Sequence, residues 1–467
     1  MKYKKVILVN PYPGKNIGGL NESTIYPPLG LVYIASVLRM HNVQVKILEA
    51  NILKLDNAQV VNFLCKENPD LAGISLNIFT ANAGINLSQR IKEVTNFDVC
   101  LGGPFPSAIP EDILKKSKAD ILVIGEGERS IVDICNGELL SEIQGIAWKR
   151  DGVVIVNESA ELIGDLDTLP MPAYDLLPPF GLYRARIRKS PMAPIFTSRG
   201  CPSHCTFCNH NVFGKRFRAF SPGRVISEIE LLISKYGIKQ LDILDDNFTF
   251  DMRRAEEILD LILERKFNIR INLQNGMRVD NLNPSIVKKM KKAGVFKVGI
   301  GCESADIPTL KEIKKGVDLA KIRQAVQWFS HNKIISYLFF IFGFPNDTRE
   351  TIMRTIDFAI EVNPTTAVFS LLIPFPGTEI HSLLKKQSML KDGITDGVMT
   401  GFFGRRLYHS CRYLTEDDVV ALQSLAYRKF YFRPNKIIEQ IRQIRSFAEL
   451  RWLFNIISAR LQHGAGK

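Results

Sequence analysis

Over roughly the first 130 residues, short apolar runs alternate with longer stretches whose apolar residues recur at helical spacing. The runs cover residues 5–9, 43–48, 71–76, 99–102 and 121–124, and the helical pattern covers 29–40, 57–65 and 81–94. Such alternation predicts a parallel sheet with helices on both faces, the Rossmann-like form of α/β architecture. Several runs end in Gly, Pro, Ser or Asn, at Asn10-Pro11, Ser75-Leu76-Asn77, Gly102-Gly103-Pro104 and Gly125-Glu126-Gly127. Ligands of open parallel sheets lie beyond the carboxyl ends of the strands, where backbone must approach closely. These glycines mark a candidate ligand edge, with ordinary tight turns as the plain alternative.

The pattern then changes. Residues 143–149 and 153–156 flank Asp151-Gly152, a hairpin signal, and the following stretch with Pro170, Pro172, Pro178 and Pro179 reads as an extended connector. A second alternating region follows, with strands at 194–197, 240–244, 268–273, 296–300, 335–342 and 367–372. Helical patterns at 225–236, 253–265, 284–293 and 348–362 separate them. Six strand–helix units over this length suit a partial TIM-type (β/α)6 barrel better than a second open sheet. From Thr415 the chain turns helical, opening on the capping signal Thr415-Glu416-Asp417-Asp418. The predicted domains are a Rossmann-like sheet over 1–140, a hairpin and Pro-rich linker over 141–186, the barrel over 187–400, and a helical tail over 401–467.

Composition changes little in this picture. The 467 residues are 46% apolar and 23% charged, the balance of a globular protein, which excludes a disordered or collagen-like chain. The formal charge is +13, an excess that favours an anionic partner without choosing among nucleic acid, a phosphate-bearing cofactor and an acidic membrane surface. The apolar run 6–9 is too short for a signal-peptide core, and the longest one, 334–344, is broken by Ser336 and Gly343. Neither can span a bilayer, so the reducing cytoplasm is the expected location.

Cysteine placement is far more specific. Three of the eight cysteines fall in Ser198-Arg199-Gly200-Cys201-Pro202-Ser203-His204-Cys205-Thr206-Phe207-Cys208, directly after a strand. Roughly 0.002 matches to this C-x3-C-x2-C spacing are expected by chance at this cysteine frequency. Three thiolates in one loop suit an iron–sulfur cluster, whose fourth iron would stay open to a ligand. Zinc, with His204 or His210 as a fourth ligand, is the competing reading, and a disulfide or buried thiols are the bland ones.

The CxxxCxxC signature after the first strand of a partial barrel resembles that of the radical S-adenosylmethionine (SAM) superfamily. The resemblance implies that Cys201, Cys205 and Cys208 hold a [4Fe–4S] cluster and that SAM chelates the fourth iron. It also implies cleavage of SAM to methionine and a 5′-deoxyadenosyl radical. Phe207 then lies beside the adenine. Leu244-Asp245-Asp246-Asn247-Phe248 departs from the common Gly-Gly-Glu but resembles the Asp-Asp-x-Phe form of one subgroup. By the same resemblance Asp245 and Asp246 bind the SAM amino group, and Arg278, Glu303 and Ser304 bind its carboxylate or ribose. Gly343, in Gly343-Phe344-Pro345, lets backbone approach the adenine. Each has a bland alternative: Asp245 and Asp246 could cap the next helix, and Gly343-Phe344-Pro345 could be a turn.

That subgroup, which also carries a C-terminal Phe-Tyr-x-Arg-Pro (here Phe430-Tyr431-Phe432-Arg433-Pro434), is the cobalamin (B12)-binding radical SAM family. Residues 1–140 resemble its cobalamin domain through Tyr26-Pro27-Pro28-Leu29-Gly30-Leu31, Gly102-Gly103-Pro104 and Gly125-Glu126-Gly127-Glu128. No Asp-x-His-x-x-Gly occurs, and the domain's only histidine, His41, stands in a turn rather than as a cobalt ligand. The resemblance therefore implies a cobalamin without protein histidine on cobalt, its nucleotide tail lying in the sheet beside Ser75, Gly102, Gly103 and Gly125. The combined modules imply methyl transfer from SAM through cobalamin to an unactivated carbon of a small molecule, lipid or peptide. An external electron donor such as flavodoxin or ferredoxin is implied too. Cyclisation or rearrangement is the alternative within the same cofactor set, and a non-catalytic cobalamin- or metal-binding sensor is the alternative from another class. The intact cluster motif argues against the sensor. Tyr337 faces the barrel interior in this reading, as packing or as a hydrogen donor.

Residues 428–467 hold nine Lys or Arg against two Glu, more than half of the whole charge excess. Ile437, Ile438, Ile441 and Ile444 form one apolar stripe, and Leu450, Leu453, Phe454 and Ile457 form another. Two helices packed on the barrel with a solvated basic face are expected. Peripheral contact with anionic lipid is the alternative, and no nucleic-acid-binding pattern is present.

Overall fold

The computed structural model describes residues 1–14, 25–183, 188–391 and 406–443. Strands β1 (Lys5–Asn10), β2 (Gln44–Glu49), β3 (Leu71–Ser75), β4 (Asp98–Gly102) and β5 (Ile121–Val123) pair in parallel in the order β2-β1-β3-β4-β5. Val6, Ile7, Leu8 and Val9 of β1 are all buried, because helices cover both faces and no side of the strand can be polar. Strand order reverses between β1 and β3, so the crevice of this sheet opens at the carboxyl ends of those strands. The hairpin β6 (Ile146–Arg150) and β7 (Val153–Val156) does not stand apart as a linker element. β6 pairs antiparallel with β5, so the first sheet continues past residue 140 to Val156.

The second sheet is fully parallel and open. It runs β8 (Met192–Ile195), then β11 (Gln240–Ile243), β12 (Arg270–Met277), β13 (Val295–Glu303), β14 (Ile335–Phe342) and β15 (Thr366–Leu371). A short antiparallel ribbon, β9 (Ser198–Arg199) with β10 (Arg218–Ala219), stands at the end of β8. This is the expected partial barrel of six strands. Alternation in β14 shows its two sides. Ser336, Leu338, Phe340 and Phe342 are buried against the outer helices, while Ile335, Tyr337, Phe339 and Ile341 are half-buried toward the concave face. Tyr337 thus faces the interior, with Lys297 Nζ 4.1 Å from its ring centroid.

An open barrel leaves an unpaired edge on β15, and the C-terminal helices cover it with side chains. Helix Glu416–Tyr431 is fastened at its start by a capping box between Thr415 and Asp418. Its Tyr431 hydroxyl accepts from Ala367 N (3.2 Å) and donates to Ala367 O (2.8 Å). The Tyr427 hydroxyl accepts from Phe369 N at 3.1 Å, and Gln423 donates to Phe369 O at 2.8 Å. Helix Pro434–Gln443 adds Lys436 Nζ to Pro364 O at 2.6 Å and Gln440 Nε2 to Thr365 O at 2.7 Å. Arg433 reaches Ile360 O and Asn363 Oδ1. Two of the tail's cations, Arg433 and Lys436, therefore hold the barrel edge rather than a solvated face. Ile437, Ile438 and Ile441 are exposed. The remaining stripe at 450–457 lies outside the described residues. Among the described residues no helix is long and apolar enough to cross a membrane.

Candidate functional site

The cysteine loop is closed at its base by the β9–β10 ribbon, in which Arg199 pairs with Arg218 and Ser198 with Ala219. Gly200 follows β9 with φ +81°, and a Cβ there would run into the carbonyl oxygens of Arg216 and Phe213. Only glycine fits, for conformation and for space. Asp245, at the end of β11, accepts from Thr197 N (2.6 Å), Thr197 Oγ1 (2.5 Å) and Ser198 Oγ (2.6 Å). Both its oxygens are committed to protein groups that set the entry to the loop. Farther along, Thr206 N donates to Ile313 O (3.0 Å) and Ile380 N donates to Thr206 O (2.9 Å). The loop is thereby stitched to the segments after β13 and β15.

Cys201 is half-buried, Cys205 buried and Cys208 exposed, and all three are free thiols. Burial pushes Cys205 up, and it pushes Cys208 up to about 12 with help from Cys205 and Cys201 nearby. Cys208 is open to water yet surrounded closely enough to be desolvated, which is the signature of a side chain lining a recess. Among the described residues no three His, Cys, Asp or Glu side chains converge on one point as a mononuclear metal site would require. A cubane differs in this respect, because each thiolate binds its own iron at a separate corner. Three clustered thiols, of which Cys205 and Cys208 resist ionisation alone, are the donor set that a metal core deprotonates and holds. They fit a cluster better than tetrahedral zinc. His210, the alternative fourth ligand, keeps its Nε2 buried without a partner.

Lys315 was not singled out by sequence. Its Nζ lies 2.9 Å from Glu303 Oε1 and 5.8 Å from the Phe207 ring centroid. Burial opposes its charge, but Glu303 and the thiols of Cys205 and Cys208 outweigh that and raise its pKa. It is a fixed cation beside the thiol cluster. Glu303 sits at φ +67°, a left-handed conformation that is strained for glutamate and held by its ion pair. A Cβ on Gly301 would strike both the Glu303 carboxylate and Lys315 Nζ, so glycine keeps this pocket open. Around it, Asp246 accepts from Gly200 N at 3.2 Å with one oxygen, and the other takes no hydrogen bond among the described residues. Burial first, then Asp245, raises the pKa of Asp246. Asn247 Nδ2 is buried without a partner, a donor left for something else in this recess. Arg278 is tied to Asp280 (2.7 Å), Ser203 Oγ (3.4 Å) and Gly316 O (2.5 Å), spanning from β12 to the cysteine loop. Ser304 is turned inward, 3.3 Å from Thr355 Oγ1, and accepts from Asp306 N. Gly343 has φ +88°; its N–H and that of Phe344 donate to Asp347 at 2.9 Å, and its carbonyl lies 2.7 Å from His409 Nε2. The Phe207 ring packs 6.2 Å from that of Phe344.

The glycines of the first sheet divide by cause. Gly103 (φ +106°) is required internally, since a Cβ would come within 2.6 Å of Leu76 O. Gly125 (φ +79°) donates to Ser107 Oγ at 2.9 Å. Gly102 has no such reason: a Cβ there would meet nothing closer than Val123 at 3.9 Å. Ser75 is its neighbour in register, and its hydroxyl has no partner among the described residues. Ser75 and Gly102 together leave an open, polar strand end that suits a cofactor tail. His41 caps the far end of helix Leu29–Met40, its Nδ1 3.0 Å from Val37 O, beside the start of β2. That is the opposite edge of the sheet, out of reach of any ligand at the carboxyl ends.

Between the modules lies a buried charge network that the sequence did not disclose. Arg199 donates to Glu126 Oε1 at 3.0 Å and to Glu128 Oε1 at 2.7 Å, and Arg218 contacts Glu126 at 2.8 Å. Guanidinium Arg199 is also sandwiched between the rings of Tyr33 and Phe213, 5.0 and 5.1 Å from their centroids. The carboxylates that punctuate Gly125-Glu126-Gly127-Glu128 hold the stem of the cysteine loop. A second tie is Tyr26, whose hydroxyl reaches Asp242 Oδ2 at 2.7 Å and Gln274 Oε1 at 3.1 Å inside the barrel.

Comparison with known proteins agrees with this geometry. Residues 195–359 match the model of the Radical SAM superfamily, and residues 18–134 match that of the B12 binding domain. An uncharacterised methyltransferase of Pyrococcus horikoshii, PH0819, is 32% identical over 462 residues, covering 96% of each chain. The cytidylyl-2-hydroxyethylphosphonate methyltransferase of Streptomyces wedmorensis is 28% identical, covering 81% of each chain. Among solved structures, the cobalamin-dependent SAM radical enzyme OxsB with aqua-cobalamin bound superposes with TM-score 0.76 at 16% identity, covering 98% of this chain and 71% of that one.

Proposed function

Because this chain belongs to the cobalamin-binding radical SAM family, we propose that it is a methyltransferase that places a methyl group on an unactivated carbon of its substrate. The family's cofactors are a [4Fe–4S] cluster, SAM and cobalamin. When bound, the reduced cluster splits SAM into methionine and a 5′-deoxyadenosyl radical, and cobalamin carries the methyl group. In this reading Cys201, Cys205 and Cys208 hold the cluster, and Lys315 offsets the negative charge that the thiolates bring. Asp246, Asn247 and Glu303 offer SAM an acceptor, an unpartnered donor and a carboxylate in the same recess. Ser75 and Gly102 receive the cobalamin tail, with Gly125 beside them. Asp245, Arg278 and Ser304 act through the loops they fasten and serve as positioning residues.

The observation that carries the proposal is the Glu126–Arg199–Arg218 network. It welds the segment after β5 of the B12-binding module to the stem of the cysteine loop, which supports a reading in which the two cofactor sites are held in a fixed relation. Radical chemistry needs such fixed alignment and exclusion of water far more than a strong acid or base. The relatives with methyltransferase names at 32% and 28% identity are more similar than the magnesium-protoporphyrin monomethyl ester cyclases at 22–26%, which favours methyl transfer over cyclisation. The test is anaerobic reconstitution with SAM deuterated in its methyl group and candidate substrates. Deuterated product formed together with 5′-deoxyadenosine is expected. Unlabelled, rearranged product formed with 5′-deoxyadenosine would overturn methyl transfer and leave the radical reaction standing.

A further inference from the structure

We propose that Lys215, Arg216, Phe217 and Phe250 form the docking surface for an acidic one-electron carrier protein, placed directly behind Cys201. The inference rests on the radical SAM reading, which requires one electron from outside: the carrier is oxidised by one electron and the cluster is reduced by one. Electron transfer rates fall exponentially with distance, so the carrier must dock where the cysteine loop meets the surface.

The loop has three approaches. Toward Cys208, Asn209 Nδ2 donates to Pro376 O at 3.2 Å, and the backbone at Asn211 and Val212 lies against Gly125 of the first module. Cys208 is exposed there, but onto the recess that the proposed function gives to the cofactors, so a carrier protein does not enter from that side. Behind Thr206 lies a cleft of about 500 Å³ lined by Glu312, Glu379 and Arg412 among others. Its two carboxylates are balanced by Arg412 and by Lys314, which pairs with Glu379 at 2.5 Å, so the cleft offers an acidic protein no excess of positive charge. The third approach differs in charge and chemistry. The carbonyl of Arg216 packs on Gly200, the residue before Cys201. Lys215 and Arg216 are exposed, and neither forms an ion pair among the described residues. Next to them the Phe217 and Phe250 rings pack at a 45° tilt with centroids 4.8 Å apart, and Phe250 is 44% exposed. Arg253 is exposed one turn on, while the carboxylate of Asp251 is tied down by Arg254 N at 3.0 Å.

A small aromatic centre ringed by cations is the composition of a transient protein interface. Electron-transfer encounters bury less than about 1,200 Å² in total, so a small face suffices. Complementary charge speeds the encounter and favours this face over the charge-balanced cleft as the entrance.

The experiment compares the reconstituted wild type with Lys215→Glu/Arg216→Glu, using an acidic bacterial flavodoxin as the probe. Calorimetry measures binding, and electron paramagnetic resonance measures cluster reduction by reduced flavodoxin or by dithionite. The double variant is expected to bind flavodoxin about tenfold more weakly at low salt and to lose flavodoxin-driven cluster reduction. Dithionite-driven reduction and SAM cleavage should match the wild type, which also shows that the variant is folded. Lys215→Gln/Arg216→Gln should fall between the two. Equal flavodoxin affinity in wild type and charge-reversed protein overturns the docking surface. A wild type without a dithionite-reducible cluster overturns the radical SAM reading itself, a separate outcome.

Discussion

Arg199 and Glu126 form an ion pair at 3.0 Å in which both side chains are almost wholly withdrawn from water. They come from different modules, and Arg199 stands two residues before the first cysteine of the loop. The pair is therefore a joint between the two halves of the site as well as a stabilising contact.

Removing one partner of a buried pair leaves the other charge stranded, at about 3–5 kcal/mol. Glu126→Gln is expected to lower the free energy of unfolding by that amount, because Arg199 and Arg218 both lean on Glu126. Lys115→Ala, which breaks an exposed i,i+4 pair with Glu111, should cost less than about 1 kcal/mol. Urea titrations of the two variants make the comparison.

Cys208→Ala tests the cluster without disturbing the core, since Cys208 is exposed. Iron and acid-labile sulfide after anaerobic reconstitution should fall toward background while the far-ultraviolet circular dichroism stays that of the wild type. Wild-type iron content in this variant would contradict its role as a ligand.

Burial raises Asp347 from 3.8 to about 7, although Phe344 N, Gly343 N and Thr351 donate to it. Between these values the folded protein holds a proton that the unfolded chain releases. Stability is therefore highest at low pH in this window, falls as pH rises, and levels off above about 7, with a slope near 1.4 kcal/mol per pH unit for one such group. Glu49, buried beside Asn10, is also raised to about 7 and acts in the same direction. Asp347→Asn keeps an acceptor for the two N–H groups and cannot titrate. Its denaturation midpoint between about pH 5 and pH 8 should vary less than that of the wild type.

Tyr431→Phe removes the hydroxyl that satisfies both backbone groups of Ala367 on the open edge. Leaving such groups unpaired costs about 1–3 kcal/mol each when buried, and Ala367 is fully buried. Chemical denaturation should show a loss in this range, whereas Tyr413→Phe, at a residue 65% exposed, should show none.

Local pattern by itself determined most of the architecture. Apolar periodicity placed every strand of both parallel sheets to within a few residues, and the cysteine spacing with its neighbours pointed to the family. These features reside in short windows, where side-chain alternation and backbone turns are dictated by adjacent residues. Tertiary structure decided what long-range contact creates. Glu126 and Arg199 are 73 residues apart, and Tyr26 lies 216 residues from Asp242, distances over which no periodicity carries information. The same holds for Lys315, an ordinary lysine until Glu303 and the cysteine loop close around it. Charge counting made the tail look like a surface for partners. In the fold, Arg433 and Lys436 were drawn to unpaired backbone carbonyls, because an open barrel edge must be satisfied by whatever donors lie within reach.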